Sequence, residues 1–279
     1  MAATADLAFE DLDDDEREAV RTLLFRLADD EYVTAERYTE WQVRAPTLES
    51  DLALANIAQD ELGHARLWYD LLEDFGSEER ELVWERPPEA WHHATLAELP
   101  YEEGGWADAV LRSYLYDVAE DLRLAAVEGS TYTRLRDRVE TVENEEDYHL
   151  EHAQNWLERL VDADAGHDRV QAALDRLFPY ALTLFAPADP EVEARIDELG
   201  LRDRTLSELR RDWLDRVVPY LESLGLDVPD PGDTDLPSAV GRDGEHTDHW
   251  NDLHEEFTRT YRDLDRQGTV RIMPDPDDT

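Results

Sequence analysis

The chain has 279 residues, 41 % of them apolar, with 70 acids against 27 bases and a net charge of −43. That is enough chain for a sizeable core in one large domain or two small ones. Every base is arginine and cysteine is absent, which excludes disulfides, thiolate-bound zinc, iron–sulfur ligation and thiol catalysis in this chain.

The acids are spread along the whole sequence and not gathered in a tail. Such a chain repels itself in dilute buffer, and salt at about 1 M removes the repulsion by shortening the Debye length to about 3 Å. The composition therefore reads as adaptation to a salty cytosol, with an acidic nucleic-acid mimic as the rival. Direct binding to nucleic acid is not expected, because no basic patch exists. Met1 to Glu18 is acidic without the apolar run of a secretory leader. No stretch is apolar for ~18 residues, the length that spans a bilayer. A cytoplasmic location is expected.

Apolar residues recurring at three and four predict a first helix over Asp14 to Gln42, broken at Arg44-Ala45-Pro46. Thr47 or Ser50 caps a second helix that runs to about Phe75, with Gly76 as its stop. A long connection, Ser77 to Gly105, carries Pro87, Pro88 and Pro100. A third helix is expected over Trp106 to Glu128. A break at Gly129-Ser130 leads to a fourth that ends near Leu160. Two short-linked helix pairs joined by a long crossover is the arrangement of an all-α, ferritin-like four-helix bundle, here residues 14–160. A helical extension follows over 161–225, with helices at Asp168–Phe185, Glu191–Leu199 and Leu206–Leu224. Then come a Pro/Asp/Gly-rich loop (226–245), a last helix (246–266) and a tail (267–279) expected to be disordered. The whole is read as a single domain.

Four of the helical stripes carry acids where apolar residues belong. The second helix presents Leu54, Ile57, Glu61, His64, Trp68 and Leu71 on one face, and the fourth presents Val142, Glu146, His149, Ala153, Trp156 and Leu160. Glu31 sits in the first helix's stripe and Asp117 in the third's, beside Asp121. A buried carboxylate must be neutralised, paired or bound to metal. Two histidines cannot neutralise four carboxylates, whereas two divalent cations can. An acid plus Glu-x-x-His in each half is the diiron and dimanganese bundle pattern, and oxygen with imidazole suits iron, or less readily manganese. The candidate ligands are Glu31, Glu61, His64, Asp117, Glu146 and His149. Glu120 is an alternative to Asp117, Glu145 to Glu146, and a buried ion-pair network to the whole set. His92 and His93 read as surface or interface residues, His152 as a neighbour of the site or solvated, and His246, His249 and His254 as a solvated helix start, with a weak metal pair at His246 and His249 as the alternative. No phosphate loop or nucleophile elbow is present.

Several stretches resemble the phenylacetic acid catabolic protein family. They are Leu52-Ala53-Leu54-Ala55-Asn56-Ile57-Ala58 with Leu62-Gly63-His64-Ala65-Arg66, and Tyr148-His149-Leu150 with Asn155-Trp156-Leu157-Glu158-Arg159-Leu160. Leu182-Thr183-Leu184-Phe185 and Gly244-Glu245-His246-Thr247 fit too. The likeness runs from Leu23 to Arg266 and is greatest to the C subunits of the family's multicomponent phenylacetyl-CoA 1,2-epoxidases. It implies a ferritin-like fold and a partnership with a diiron A subunit that epoxidises the ring of phenylacetyl-CoA with O₂. It also implies electrons from a separate NAD(P)H-dependent reductase that carries the flavin and iron–sulfur groups. C subunits are regarded as structural, and some have lost the ligands. Here the six positions match the family's diiron ligands, and Gln59-Asp60-Glu61-Leu62-Gly63-His64 looks like the A subunit. The expectation is a C subunit supporting A. A catalytically active diiron subunit is the alternative, and an unrelated iron store or peroxidase a third.

Overall fold

The computed structural model of the protein describes residues 6–100, 105–187 and 189–264. The end of the last helix beyond 264 and the tail lie outside the described residues.

Helix α1 spans Asp14–Gln42 and opens on a capping box, in which Asp13 accepts from the Glu16 backbone and Glu16 accepts from that of Asp13. Helix α2, Leu48–Glu73, is capped by Thr47, whose hydroxyl accepts from the Ser50 N–H at 3.2 Å. Among the described residues the crossover holds two short α-helices, α3 (Glu79–Val83) and α4 (Thr95–Glu98), with a 3₁₀ turn at Pro88–Ala90 between them. Helices α5 (Gly105–Val127) and α6 (Thr133–Val161) complete the bundle. The extension is α7 (Gly166–Ala181), α8 (Pro190–Leu199) and α9 (Leu206–Ser223), and the last helix is α10 (Asp248–Asp263). Pro190 at the first turn and Gly200 in the left-handed region bound α8, each residue suited to that end of a helix. No strand occurs among the described residues, so the architecture is all-α, as expected.

Helix α1 lies against α2, α5 against α6, and α2 also meets α6. The Tyr38 hydroxyl lies 2.7 Å from the Ser113 hydroxyl, so α1 also faces α5. Apolar layers stack along the bundle. One contains Leu24, Leu27, Trp68, Leu71 and Val142, and another Tyr38, Trp41, Leu54 and Ile57. Residues 31, 61 and 64 fall between those layers along α1 and α2. The acidic stripe is therefore a polar layer between two apolar ones. Burying each large apolar side chain contributes about 1.5–3 kcal/mol, which helps offset the cost of that layer.

The crossover is fixed by two fully buried acids of α1. Asp29 accepts from the His92 backbone N–H and the Tyr69 hydroxyl, each at 2.8 Å, and pairs with Arg86. Asp30 accepts from the Ala94 N–H at 2.6 Å, from Arg242 at 2.6 and 3.0 Å, and from Arg123. Charge-assisted bonds of this kind are roughly twice as strong as neutral ones. The Asp30 carboxylate thus ties residues 94, 123 and 242 together.

The reading of His93 as a surface or interface residue is corrected here, because its ring is fully buried within the fold. His93 Nε2 and His246 Nδ1 each lie 2.7 Å from one oxygen of Glu98. The other oxygen accepts from the Thr247 N–H at 2.7 Å. His246 is likewise engaged and not solvated, its Nε2 lying 3.0 Å from the Trp91 carbonyl. Gly241 makes this closure possible, since a Cβ there would meet the His93 carbonyl at 2.3 Å. The network seats the start of α10 on α4.

Candidate metal centre

Glu31 comes from α1, Glu61 and His64 from α2, Asp117 from α5, and Glu146 and His149 from α6. All six are buried. Donor atoms of Glu31, Glu61, His64 and Glu146 lie within 4.8 Å of one another. His149 adjoins them, its Nδ1 3.4 Å from Glu146 and 3.7 Å from Glu61. His64 Nδ1 lies 3.1 Å from Glu146 and 3.9 Å from Glu31. Both imidazoles therefore turn Nδ1 inward.

Both carboxylate oxygens of Glu31, Glu61, Asp117 and Glu146, and both inward Nδ1 atoms, lack a hydrogen-bond partner of proper geometry. The short Nδ1–Glu146 approaches are close without being aligned. Leaving a buried polar atom unpaired costs about 1–3 kcal/mol, more for charged groups. Four of these side chains form a group that could hold a metal ion. Oxygen and imidazole donors without sulfur fit iron or manganese.

Glu120 is also fully buried, but one of its oxygens is engaged by Arg123. Asp117 keeps both oxygens open. Asp121, from the same sequence stripe, pairs with Arg216 at the surface. Glu145 does not compete with Glu146. It is about half exposed, and its carboxylate lies 2.7 Å from His64 Nε2. Asp60 stands at the equivalent place, 3.4 Å from His149 Nε2. The acid just before each Glu of Glu-x-x-His thus orients the histidine of the opposite helix. Such outer carboxylates fix tautomer and ring direction and raise the basicity of the inward nitrogen. Sequence reasoning missed this pairing, although the adjacent acids Asp60-Glu61 and Glu145-Glu146 were its signal. His152 is partly buried, and burial together with nearby His149 pushes its imidazole down to about 4.

Burial and mutual charge shift the titration of every group in the layer. Burial and the neighbouring Glu61 and Glu120 push Glu31 well above the usual carboxylate range. Burial and Glu146 do the same to Asp117, and burial also raises Glu61. Burial pulls His64 down, but Glu146, Glu61 and Glu145 outweigh it and hold the imidazole up at about 9. His149 is raised for the same reason, burial being outweighed by Glu146 and Asp60. Glu146 alone is lowered, its burial overcome by the two histidines.

The description "Phenylacetic acid catabolic protein" belongs to the family model that matches residues 7–267. The chain is 29 % identical over 256 residues to the C subunit of 1,2-phenylacetyl-CoA epoxidase from Escherichia coli (strain K12), covering 87 % of this chain and 96 % of that one. It is 27 % identical over 194 residues to the A subunit of the same organism's enzyme, covering 68 % of this chain and 62 % of the relative. No helix among the described residues is long and apolar enough to cross a membrane. With a match over nearly its whole length and the bundle that match entails, this chain belongs to the phenylacetic acid catabolic protein family.

Proposed function

We propose that the chain is the C-type subunit of a multicomponent phenylacetyl-CoA 1,2-epoxidase in aerobic phenylacetate catabolism, and that its six-residue layer holds a pair of iron ions. The C-type assignment is supported by similarity that runs through 96 % of the C-type relative but only 62 % of the A-type relative. The metal assignment is supported by the unpartnered oxygens of Glu31, Glu61, Asp117 and Glu146 facing the inward nitrogens of His64 and His149.

In this reading the chain supports a diiron A-type partner through helical contacts. Phenylacetyl-CoA is met at the level of the assembly, and a separate reductase delivers electrons from NAD(P)H. In the catalytic alternative, iron held here would supply the redox chemistry of O₂ activation. The chain's own residues would hold and orient it: four carboxylates for charge, two imidazoles, and Asp60 and Glu145 to keep the rings turned inward. The complete donor set favours a second reading, in which this protein is itself catalytic.

Two measurements on one preparation separate these readings. Metal content per chain is compared between the parent and Glu61→Ala/His64→Ala after anaerobic loading with Fe(II). Co-purification with an A-type partner and turnover of phenylacetyl-CoA are then followed. About two irons in the parent and far fewer in the variant support the centre. Turnover that survives the double substitution assigns the scaffold role, and turnover lost with the iron assigns catalysis. A chain that neither binds an A-type partner nor alters turnover would sink the proposal.

A further inference from the structure

We infer that a surface cleft between α5 and α6 is the port through which divalent cations reach the buried centre; the inference rests on the reading of the six residues as a metal site. The cleft has a volume of about 280 Å³ and is lined by Asp121 and Leu124 of α5 and Glu140, Glu143, Glu146 and Asp147 of α6. Its walls are carboxylates with a single leucine.

Acidic surface is common on this chain, so acidity alone identifies nothing. The floor of the cleft is the telling feature. Glu146 is only 5 % exposed, yet it lines the cleft, and neither of its oxygens has a hydrogen-bond partner. The same carboxylate lies 3.1 Å from His64 Nδ1 and 3.4 Å from His149 Nδ1. One side chain therefore belongs both to the cleft and to the donor layer. Two other acids near the centre that reach solvent, Asp60 and Glu145, are committed to the outer nitrogens of the histidines.

The wall acids are crowded. Glu143 feels the charges of Glu128, Asp121 and Asp147. Like charges held together in a cleft with low-dielectric walls concentrate the field and raise the local density of counter-ions. A divalent cation relieves that repulsion, and Glu146 offers it a next ligand further in. Entry then proceeds by carboxylate exchange, from Glu143 and Asp147 at the mouth to Glu146 at the floor.

The test is the rate at which metal-free protein takes up Co²⁺, followed by stopped-flow absorbance, with cobalt per chain measured at the end point. Three cleft acids outside the donor layer are neutralised together as Glu140→Gln/Glu143→Gln/Asp147→Asn. An equal change elsewhere on the surface, Glu151→Gln/Glu222→Gln/Glu255→Gln, is the control. The cleft variant should load about tenfold more slowly at low ionic strength, with an unchanged end point and a gap that closes as salt rises. The control should load like the parent, and Glu143→Arg alone should slow loading. A cleft variant that loads at the parent rate to the full end point overturns the port, as does a control slowed equally. A parent that retains no cobalt removes the centre itself, which the end point reports independently of the rate.

Discussion

His64 of α2 is held from outside by Glu145 of α6, with Nε2 2.7 Å from the carboxylate, while its Nδ1 faces Glu146 at 3.1 Å. His149 of α6 is held in turn by Asp60 of α2. Each helix supplies the acid that aims the other's imidazole, so the two Glu-x-x-His segments are interlocked. Glu145→Ala should therefore lower metal affinity by about 10- to 100-fold, the usual effect of losing an outer-shell partner. Glu145→Gln, which can still accept from Nε2–H, should fall between variant and parent. Chelator competition gives the affinities, and an unchanged affinity in Glu145→Ala would refute the orienting role.

Metal uptake should release protons and strengthen as pH rises. Glu31, Glu61 and Asp117 are raised in the fold, so the metal-free protein holds protons that the unfolded chain has lost. Their effect makes stability fall as pH climbs from the unfolded values through the folded ones, about 7 for Glu61. His64 acts in the same direction, its contribution complete below 6.5 and lost as pH rises through about 9. Glu146 is lowered and matters only on the acid side. Melting of metal-free protein should drop between about pH 6 and pH 9, while the rise in melting temperature on adding metal grows over the same interval. A metal-induced rise that shrinks with pH would contradict this.

The Glu98 network should make the fold acid-sensitive. Burial would raise Glu98, but His246 and His93 hold it down at about 2, while burial lowers His93 to about 4. A lowered histidine makes the fold lose stability as pH falls from 6.5 toward 4, and a lowered carboxylate does so as pH falls from 4.5 toward 2. His93→Gln should flatten the upper part of that slope. Glu98→Ala strands two histidines and the Thr247 N–H without their acceptor. It should cost about 1–3 kcal/mol for each buried donor left unsatisfied. Urea unfolding at several pH values measures both.

Salt should stabilise the protein well beyond the range in which ordinary surface pairs respond. With a net charge of −43 and no lysine, self-repulsion weakens as the Debye length falls from about 10 Å at 0.1 M to about 3 Å at 1 M. The melting temperature should climb steadily over that interval in KCl. A flat response would remove the salt-adaptation reading of the composition.

Helix boundaries and the six inward residues were legible in the sequence for one reason. A bundle helix repeats its buried face every three or four residues, so Glu61-x-x-His64 and Glu146-x-x-His149 stand out as polar interruptions of an apolar stripe. The caps Asp13 and Thr47 mark their helices by local hydrogen bonding alone. Spacing within a helix is a local property, and the sequence by itself determined it, together with the family. The partners of those residues were a different matter. That Glu145 serves His64, that Asp29 and Asp30 pin the crossover, and that His93 and His246 share Glu98 depend on contacts between residues 5 to 212 positions apart. No periodicity encodes which surface-looking acid will face which imidazole. Only the tertiary packing of α2 against α6, and of the late loop and α10 against the crossover, decided it, because a carboxylate's role is set by the charges and dipoles that folding brings beside it.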